Sequence, residues 1–460
     1  MNDHLQSWRN RSPGDLSIEL PESTAGDVGA AVESAVAASE AWTRTPLPER
    51  IARLRQAQSA LAAAKDELAH GIALETGKPL TEALGEVGAV VAKIDLTIGD
   101  AGRWLAEEGN LGGPHPALIR RRSRGPAAVV GPFNFPLHLG HGANVAHLLA
   151  GNPVIFKPSP LAACVAARYD ELMSSAFPPG VFQTVQGGGA EGEALCLEPR
   201  VRSVCFTGSV PVGKKLALAL AEDFSKDLAL ELGGSNALIV CADADLERAA
   251  AAAAEGACLT AGQRCNATSR VIVERPVAAE FQRRFLAALA TFQPGDPLLA
   301  TTKLGPVISA AAVARYERLL AATQGCWLLP GQVEPVVAGR RGHYVRPAVV
   351  LRASDDDAPA EECFVPIVSL FVADDLDAAV RLHEATPFGL TASVFTRSET
   401  LFRQLGERLT VGNLYANLPT TFSPSTLPFG GVRASGNHRP GGRGFIRFTT
   451  DEQAVQWAAW

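Results

Sequence analysis

The sequence predicts an α/β protein built on a wound parallel sheet. Two observations carry this. Short apolar runs recur, several closed by turn residues: Ala127–Val130 before Gly131-Pro132, Val154–Phe156 before Lys157-Pro158, then Val201–Phe206 and Ala237–Val240. Helical stretches lie between them, over 161–176 and 211–222. Buried strands that alternate with helices form parallel sheets, and such sheets bind ligands at the carboxyl ends of their strands. A third observation concerns scale. At 460 residues the chain is too long for one hydrophobic core, so two or more domains are expected.

The elements follow in order. The start, Met1-Asn2-Asp3-His4, is polar with no apolar core behind it, so no secretory signal is expected. Residues 26–70 read as Ala-rich amphipathic helix, broken by Pro46 and Pro48. Residues 78–107 continue as helix, with Pro79 near its start and Gly112-Gly113-Pro114 ending the segment. The parallel strands come next. A second alternation follows: Val271–Val273 as strand, 277–292 as helix, Ile367–Val372 as strand, 375–385 as helix, Ala392–Phe395 as strand. This reads as a second α/β domain. Phe445-Ile446-Arg447-Phe448-Thr449-Thr450 is read as an edge strand, open to pairing with a partner chain.

Composition excludes several classes. Apolar residues make up 47% and charged residues 20%, as in ordinary globular proteins. The net charge of −6 argues against a nucleic-acid partner. The one dense basic cluster, Arg120-Arg121-Arg122 with Arg124, reads as a solvated strand or interface edge. No apolar stretch is long enough to span a bilayer. The eight cysteines show no C-x-x-C spacing, so neither a metal site nor a disulfide framework is expected, and a reducing cytoplasm is the simplest compartment. Seven of them (164, 196, 205, 241, 258, 326 and 363) read as small hydrophobes.

Cys265 is different. It stands in Gly262-Gln263-Arg264-Cys265-Asn266, downstream of Glu231-Leu232-Gly233-Gly234 and of Phe133-Asn134-Phe135-Pro136. A thiol, a carboxylate and a carboxamide are the groups needed to attack a carbonyl, activate water and hold an oxyanion. The order and context of these motifs resemble the aldehyde dehydrogenase superfamily over nearly the whole chain.

That resemblance implies a fold: a wound dinucleotide-binding domain (1–104 and 125–232), an α/β catalytic domain (233–433) and a small β oligomerisation arm (105–124 and 447–460). It implies a homodimer or a dimer of dimers. It makes Cys265 the nucleophile, Glu231 the base that activates water, and Asn134 an oxyanion donor. The cofactor is NAD. Gly208 and Ser209 in Phe206-Thr207-Gly208-Ser209, with Gly213 on the next helix, match the segment that cradles the dinucleotide. Lys157 matches the residue that donates to the adenosine ribose. Glu362 and Phe364 match the nicotinamide-ribose segment, although Val365 stands where that motif usually has Gly. Many NAD-specific members carry Glu where this chain has Pro160, so NADP is also permitted. Gly187-Gly188-Gly189 resembles the family's other glycine turn but reads first as a permissive loop. Arg264 reads as an ion-paired structural arginine rather than a promoter of the thiolate.

The run Ala434-Ser435-Gly436-Asn437-His438-Arg439-Pro440 is more specific. It resembles the N-succinylglutamate 5-semialdehyde dehydrogenases of arginine catabolism, as do His138-Leu139, Pro419-Thr420-Thr421, Glu86-Val87 and Lys93-Ile94. Their substrate carries two carboxylates, which makes Lys93 and His138 candidates to meet it, with Lys93 read first as a helix-surface residue. Gly441-Gly442-Arg443-Gly444 departs from that branch, which leaves another semialdehyde substrate open. Two further readings stand beside these: a non-catalytic structural paralogue, and a phosphorylating or CoA-acylating dehydrogenase.

Overall fold

The computed structural model describes residues 6–109, 115–353 and 361–458. The expected helix stop at Gly112-Gly113-Pro114, the start Met1–His4 and the last two residues of the expected arm lie outside the described residues.

Two parallel sheets organise the chain. The first has five strands in the order Phe182–Thr184, Val154–Lys157, Ala127–Val130, Ser203–Thr207, Asp227–Glu231. The chain enters at the middle strand, builds outward on one side, then crosses to the other. This reversal opens a crevice at the strand ends. Successive side chains of a strand point to opposite faces. Val129 and Phe156 therefore join one core with Leu54, Leu68, Val87 and Leu148, while Ala128 and Ile155 join another with Val32, Val204 and Leu216. Ala127–Val130 and Val154–Phe156 read as unbroken apolar runs because both of their faces are buried.

The second sheet has seven strands in the order Cys326–Leu329, Ala348–Arg352, Ile367–Ala373, Thr268–Glu274, Asn236–Val240, Thr391–Phe395, Asn413–Ala416. All pairings are parallel except the first, at the Cys326–Leu329 edge. The helix expected over 26–70 is three helices, Val28–Arg44, Leu47–Ala63 and Lys65–Thr76, and the next runs from Leu80 to Trp104. No helix among the described residues is long and apolar enough to cross a membrane.

The carboxyl-terminal expectation needs correction. Phe445–Thr449 is a 3-10 helix, and the strand proper is Thr450–Gln456. The reason lies in adjacency. Phe445 and Ile446 are both buried, and neighbouring residues of a strand would point to opposite faces. A helical turn places both in the core. The strand then pairs antiparallel with Ala117–Ser123, whose other side meets Glu108–Gly109. Within this small sheet Arg120 pairs with Glu107 (2.6 Å) and Arg121 with Glu452 (3.1 Å), and Arg124 pairs with Asp451 (3.1 Å). The basic cluster is thus an ion-paired strand.

An amino-terminal hairpin, Ser7–Ser12 with Asp15–Thr24, has no counterpart in the sequence reading. It touches the turn that follows the strand Val154–Lys157. Trp8 Nε1 and Asn10 Nδ2 donate to the Pro160 carbonyl at 3.1 and 2.7 Å, pinning the turn after Lys157.

Candidate active site

Val130, Lys157, Thr207 and Glu231 end four adjacent parallel strands, and all four line one cavity of about 770 Å3. Cys265, Ile308, Arg315, Glu362 and Phe364 close it from the catalytic side. Two separate stretches of chain therefore face each other across a single cleft.

The loop that carries Cys265 is built by an unusual turn. After the helix Leu246–Cys258, Thr260, Ala261 and Gly262 have φ of +51°, +53° and +72°. Such left-handed residues turn the chain sharply, and non-glycine ones are costly unless neighbours hold them. Glu82 does so, accepting from the Thr260 amide (3.1 Å) and hydroxyl (2.8 Å). At Gly262 a Cβ would lie 2.6 Å from the Val365 carbonyl carbon, so only glycine fits.

Gln263 then locks the loop. Its Nε2 donates to the Thr260 carbonyl (3.0 Å) and its Oε1 accepts from the Ile308 amide (2.9 Å). Its own carbonyl accepts from Asn134 Nδ2 at 2.8 Å. Asn236 Nδ2 donates to the carbonyls of Cys265 (2.8 Å) and Ala267 (2.9 Å). Arg264 is ion-paired to Glu82 at 2.6 Å and lies over the Phe135 ring, as its structural reading required.

Asn134 is 3% exposed and Glu231 is 1% exposed. The Glu231 carboxyl lies beside the Cys265 thiol, yet neither of its oxygens has a well-formed hydrogen bond. Burial pushes its pKa up to about 8, and the nearby Glu362 adds to this. Burial also holds the Cys265 thiol well above its usual range; Glu231 reinforces that, and Arg264 opposes it. Glu362 is raised to about 7 by burial, against a hydrogen bond from the Gly234 amide (3.1 Å).

The carboxyl-terminal run shows its purpose here. Leu230 N donates to Asn437 Oδ1 at 2.7 Å, Asn437 N to the Leu230 carbonyl at 3.0 Å, and Leu232 N to the Ser435 carbonyl at 3.0 Å. The loop clamps the edge strand that delivers Glu231.

The remaining expected residues divide. Lys157 lines the cavity, with its Nζ donating to the Pro158 carbonyl (2.9 Å) and its pKa lowered to about 8 by burial. Gly208, Ser209, Glu362 and Phe364 also line it. Phe364 has φ +53° and meets Phe133 edge-on, with ring centroids 5.9 Å apart. Gly213 does not line the cavity: a Cβ there would lie 2.7 Å from Leu232, so its bareness serves helix-to-strand packing. Gly188 and Gly189 do line it, at the start of the helix Gly189–Leu197.

Lys93 is not a helix-surface residue. It is 4% exposed, donates to the Gly442 carbonyl at 2.9 Å, and does not line the cavity. The helix Leu80–Trp104 is covered on that face by the helix His138–Ala150, which is why a position that looks solvated is enclosed. His138 Nδ1 is buried without a partner, and burial lowers the ring pKa to about 3. Sequence reasoning missed Gln263, Asn236, Glu82 and the role of Asn437. It also missed Lys78, which forms a fully buried ion pair with Glu86 and lies over Phe135. Glu86 in turn accepts from the Leu137 (3.1 Å) and His138 (3.2 Å) amides at the start of the helix that follows Asn134.

The cleft fits a dinucleotide. Ser209 starts the helix Val210–Ala219 without a side-chain cap, which leaves the Val210 and Val212 amides without a capping acceptor at the cavity wall formed by Gly208, Ser209 and Val212. Uncapped helix starts attract phosphate. Lys157 stands at the neighbouring strand end.

Comparison with known proteins agrees. The profile of the aldehyde dehydrogenase family matches residues 3–455. N-succinylglutamate 5-semialdehyde dehydrogenase 1 of Caulobacter vibrioides is 37% identical over 442 residues, covering 94% of this chain and 92% of that protein. The structure of a γ-glutamyl-γ-aminobutyraldehyde dehydrogenase from Burkholderia cenocepacia superimposes with a TM-score of 0.93 at 31% identity, covering 98% of this chain and 93% of that one. An indole-3-acetaldehyde dehydrogenase from P. syringae, solved with NAD+ and IAA, gives 0.93 at 29% identity, covering 99% and 94%. From the cleft, its cysteine and buried carboxyl, and these matches together, the chain belongs to the aldehyde dehydrogenase family and is an NAD(P)-dependent aldehyde oxidoreductase.

Proposed function

We propose that the protein oxidises N-succinyl-L-glutamate 5-semialdehyde to N-succinyl-L-glutamate, as in arginine catabolism. The observation that carries the chemistry is that Cys265 lines the same cleft as the buried side chains of Glu231 and Asn134. The choice of aldehyde is supported by the name of the Caulobacter relative and by the run 434–440 that clamps the Glu231 strand.

The residues act in sequence. Cys265 gives its proton to water in the cleft as its sulfur adds to the aldehyde carbon, giving a thiohemiacetal. Asn134 has two N–H groups. One is committed to the Gln263 carbonyl, which fixes the amide plane and leaves the other for the oxyanion, beside the Cys265 backbone N–H. A nicotinamide bound beside it would supply the hydride acceptor that takes this adduct to a thioester. Gly208, Ser209 and Lys157 would hold the dinucleotide, with Glu362 and Phe364 toward its nicotinamide end. Glu231 then takes a proton from water as the oxygen attacks the thioester carbon. The tetrahedral adduct expels the Cys265 thiolate and releases the carboxylic acid.

A second substrate remains in view. Arg443, within the departing run Gly441–Gly444, bonds Asp100 at 2.9 Å, and Lys93 is held by Gly442. Two cations near this region are thus engaged with the chain itself. A semialdehyde with a different tail would fit such an arrangement. An aldehyde panel assayed for reduced cofactor, with Cys265 titrated as a thiol, tests the proposal. The succinylated semialdehyde is expected to give the highest kcat/KM; a better unrelated aldehyde would overturn it. Free acid as product supports hydrolysis; an acyl-CoA or acyl-phosphate product would not, and no turnover on any aldehyde would leave the structural-paralogue reading.

We also propose that NAD is preferred and NADP is accepted. Pro160 lines the cavity beside Lys157, where a carboxylate would repel a 2′-phosphate. Pro160→Glu is expected to raise the NAD-over-NADP ratio of kcat/KM about tenfold, roughly 1.4 kcal/mol. An unchanged ratio would show that position 160 does not face the ribose. We propose a dinucleotide-binding domain of 1–104 and 125–232, a catalytic domain of 233–433 and an arm of 105–124 and 447–460, a division supported by the five-stranded sheet lying in the first and the seven-stranded sheet in the second. We propose that the Thr450–Gln456 strand contributes to a homodimer or dimer of dimers, and that the free thiol of Cys265 works in the reducing cytoplasm.

A further inference from the structure

We infer that the Glu193–Lys215 ion pair at the outer end of the cleft sets the choice between NAD and NADP. This rests on the dinucleotide reading above. The two ends of the cavity differ in character. Glu231 is enclosed at the Cys265 end, whereas Lys215 and Glu193 are 64% and 41% exposed and line the same cavity at its mouth. A nicotinamide that reacts with an adduct on Cys265 must lie at the inner end. The adenosine is then left at the mouth, among Lys157, Pro160, Glu193 and Lys215.

That mouth lacks an acid at position 160, yet it has one from another element. Glu193 lies on the helix Gly189–Leu197, next to Gly192, whose added Cβ would lie 3.6 Å from Lys157 Cδ. Lys215 lies on the helix Val210–Ala219, and its Nζ is 2.7 Å from Glu193 Oε2. An exposed pair of this kind contributes little to folding. Its effect on a ligand is larger. Glu193 neutralises the ammonium that would otherwise reward a 2′-phosphate, and it presents a negative charge of its own to that group. NAD, which carries a neutral hydroxyl there, meets neither penalty. The acid function absent from position 160 is thereby restored from the neighbouring helix.

Binding of NAD and of NADP, each titrated calorimetrically without aldehyde, tests this on the full chain. In Glu193→Gln the NADP dissociation constant is expected to fall about tenfold while that of NAD changes less than about threefold. In the double variant Glu193→Gln with Lys215→Gln the gain for NADP should shrink to about threefold, because the part that depends on the released ammonium is gone and only the relief of the Glu193 charge remains. An NADP-to-NAD ratio that does not move in Glu193→Gln, or a gain undiminished by removal of Lys215, overturns the inference. Failure of the wild type to bind either dinucleotide would instead overturn the underlying cofactor site, and the inference with it.

Discussion

Replacing Cys265 with alanine is expected to remove aldehyde oxidation, lowering kcat by roughly three orders of magnitude or more. The sulfur enters only the covalent steps, so dinucleotide affinity should stay within about twofold of wild type. The loop should survive the change, since it is held by Gln263, Asn236 and Glu82 rather than by the thiol. Single-turnover assays with parallel cofactor titration check both parts. Near wild-type oxidation by Cys265→Ala would remove this residue from the reaction.

Glu231→Gln should separate the two halves of the reaction. Its carboxyl is one of the groups that hold the Cys265 thiol high. A neutral amide relieves that charge, so acylation should proceed. Hydrolysis should not, because no group remains to take the proton from water. The expected trace is a burst of reduced cofactor near one per site, followed by a steady state slower by roughly 10²–10⁴-fold. Loss of the burst as well would place Glu231 in an earlier step.

The pH dependence follows from the same carboxyl. A base acts only when ionised, and burial has raised Glu231 to about 8. Deacylation in the wild type should therefore be slow at pH 6, climb through about pH 8 and level off above it. In Glu231→Gln this rising limb should vanish. A limb that persists in the variant would belong to another group.

Much of the fold could be read directly from the chain. Ala127–Val130, Val154–Lys157 and Asn236–Val240 announce themselves because a strand buried on both faces must be apolar throughout. Asp227–Glu231 does not, because it is an edge strand whose outer side is covered by Ser435–Asn437 from a distant part of the sequence. Phe445–Thr449 misleads for a related reason: its apolar spacing suits a strand until the buried pair Phe445-Ile446 is seen to need one face.

The candidate site divides the same way. Residue chemistry and local order single out Cys265, Glu231 and Asn134, since few side chains can serve as nucleophile, base and oxyanion donor. Their support could not be read. Asn134 and the Gln263 carbonyl lie 129 residues apart in sequence, and the Thr260 and Arg264 bonds to Glu82 span 178 and 182. A hydrogen bond between such distant groups leaves no periodicity or spacing in either segment. Lys93 shows the converse: by composition it suits a solvated helix face, and packing of a second helix encloses it. The sequence by itself determined which groups are candidates for the chemistry and which strands can be buried. Tertiary structure alone decided how those groups are held, which charges are spent on the chain itself and which remain at the cleft, because desolvation and long-range hydrogen bonding exist only once the two sheets face each other.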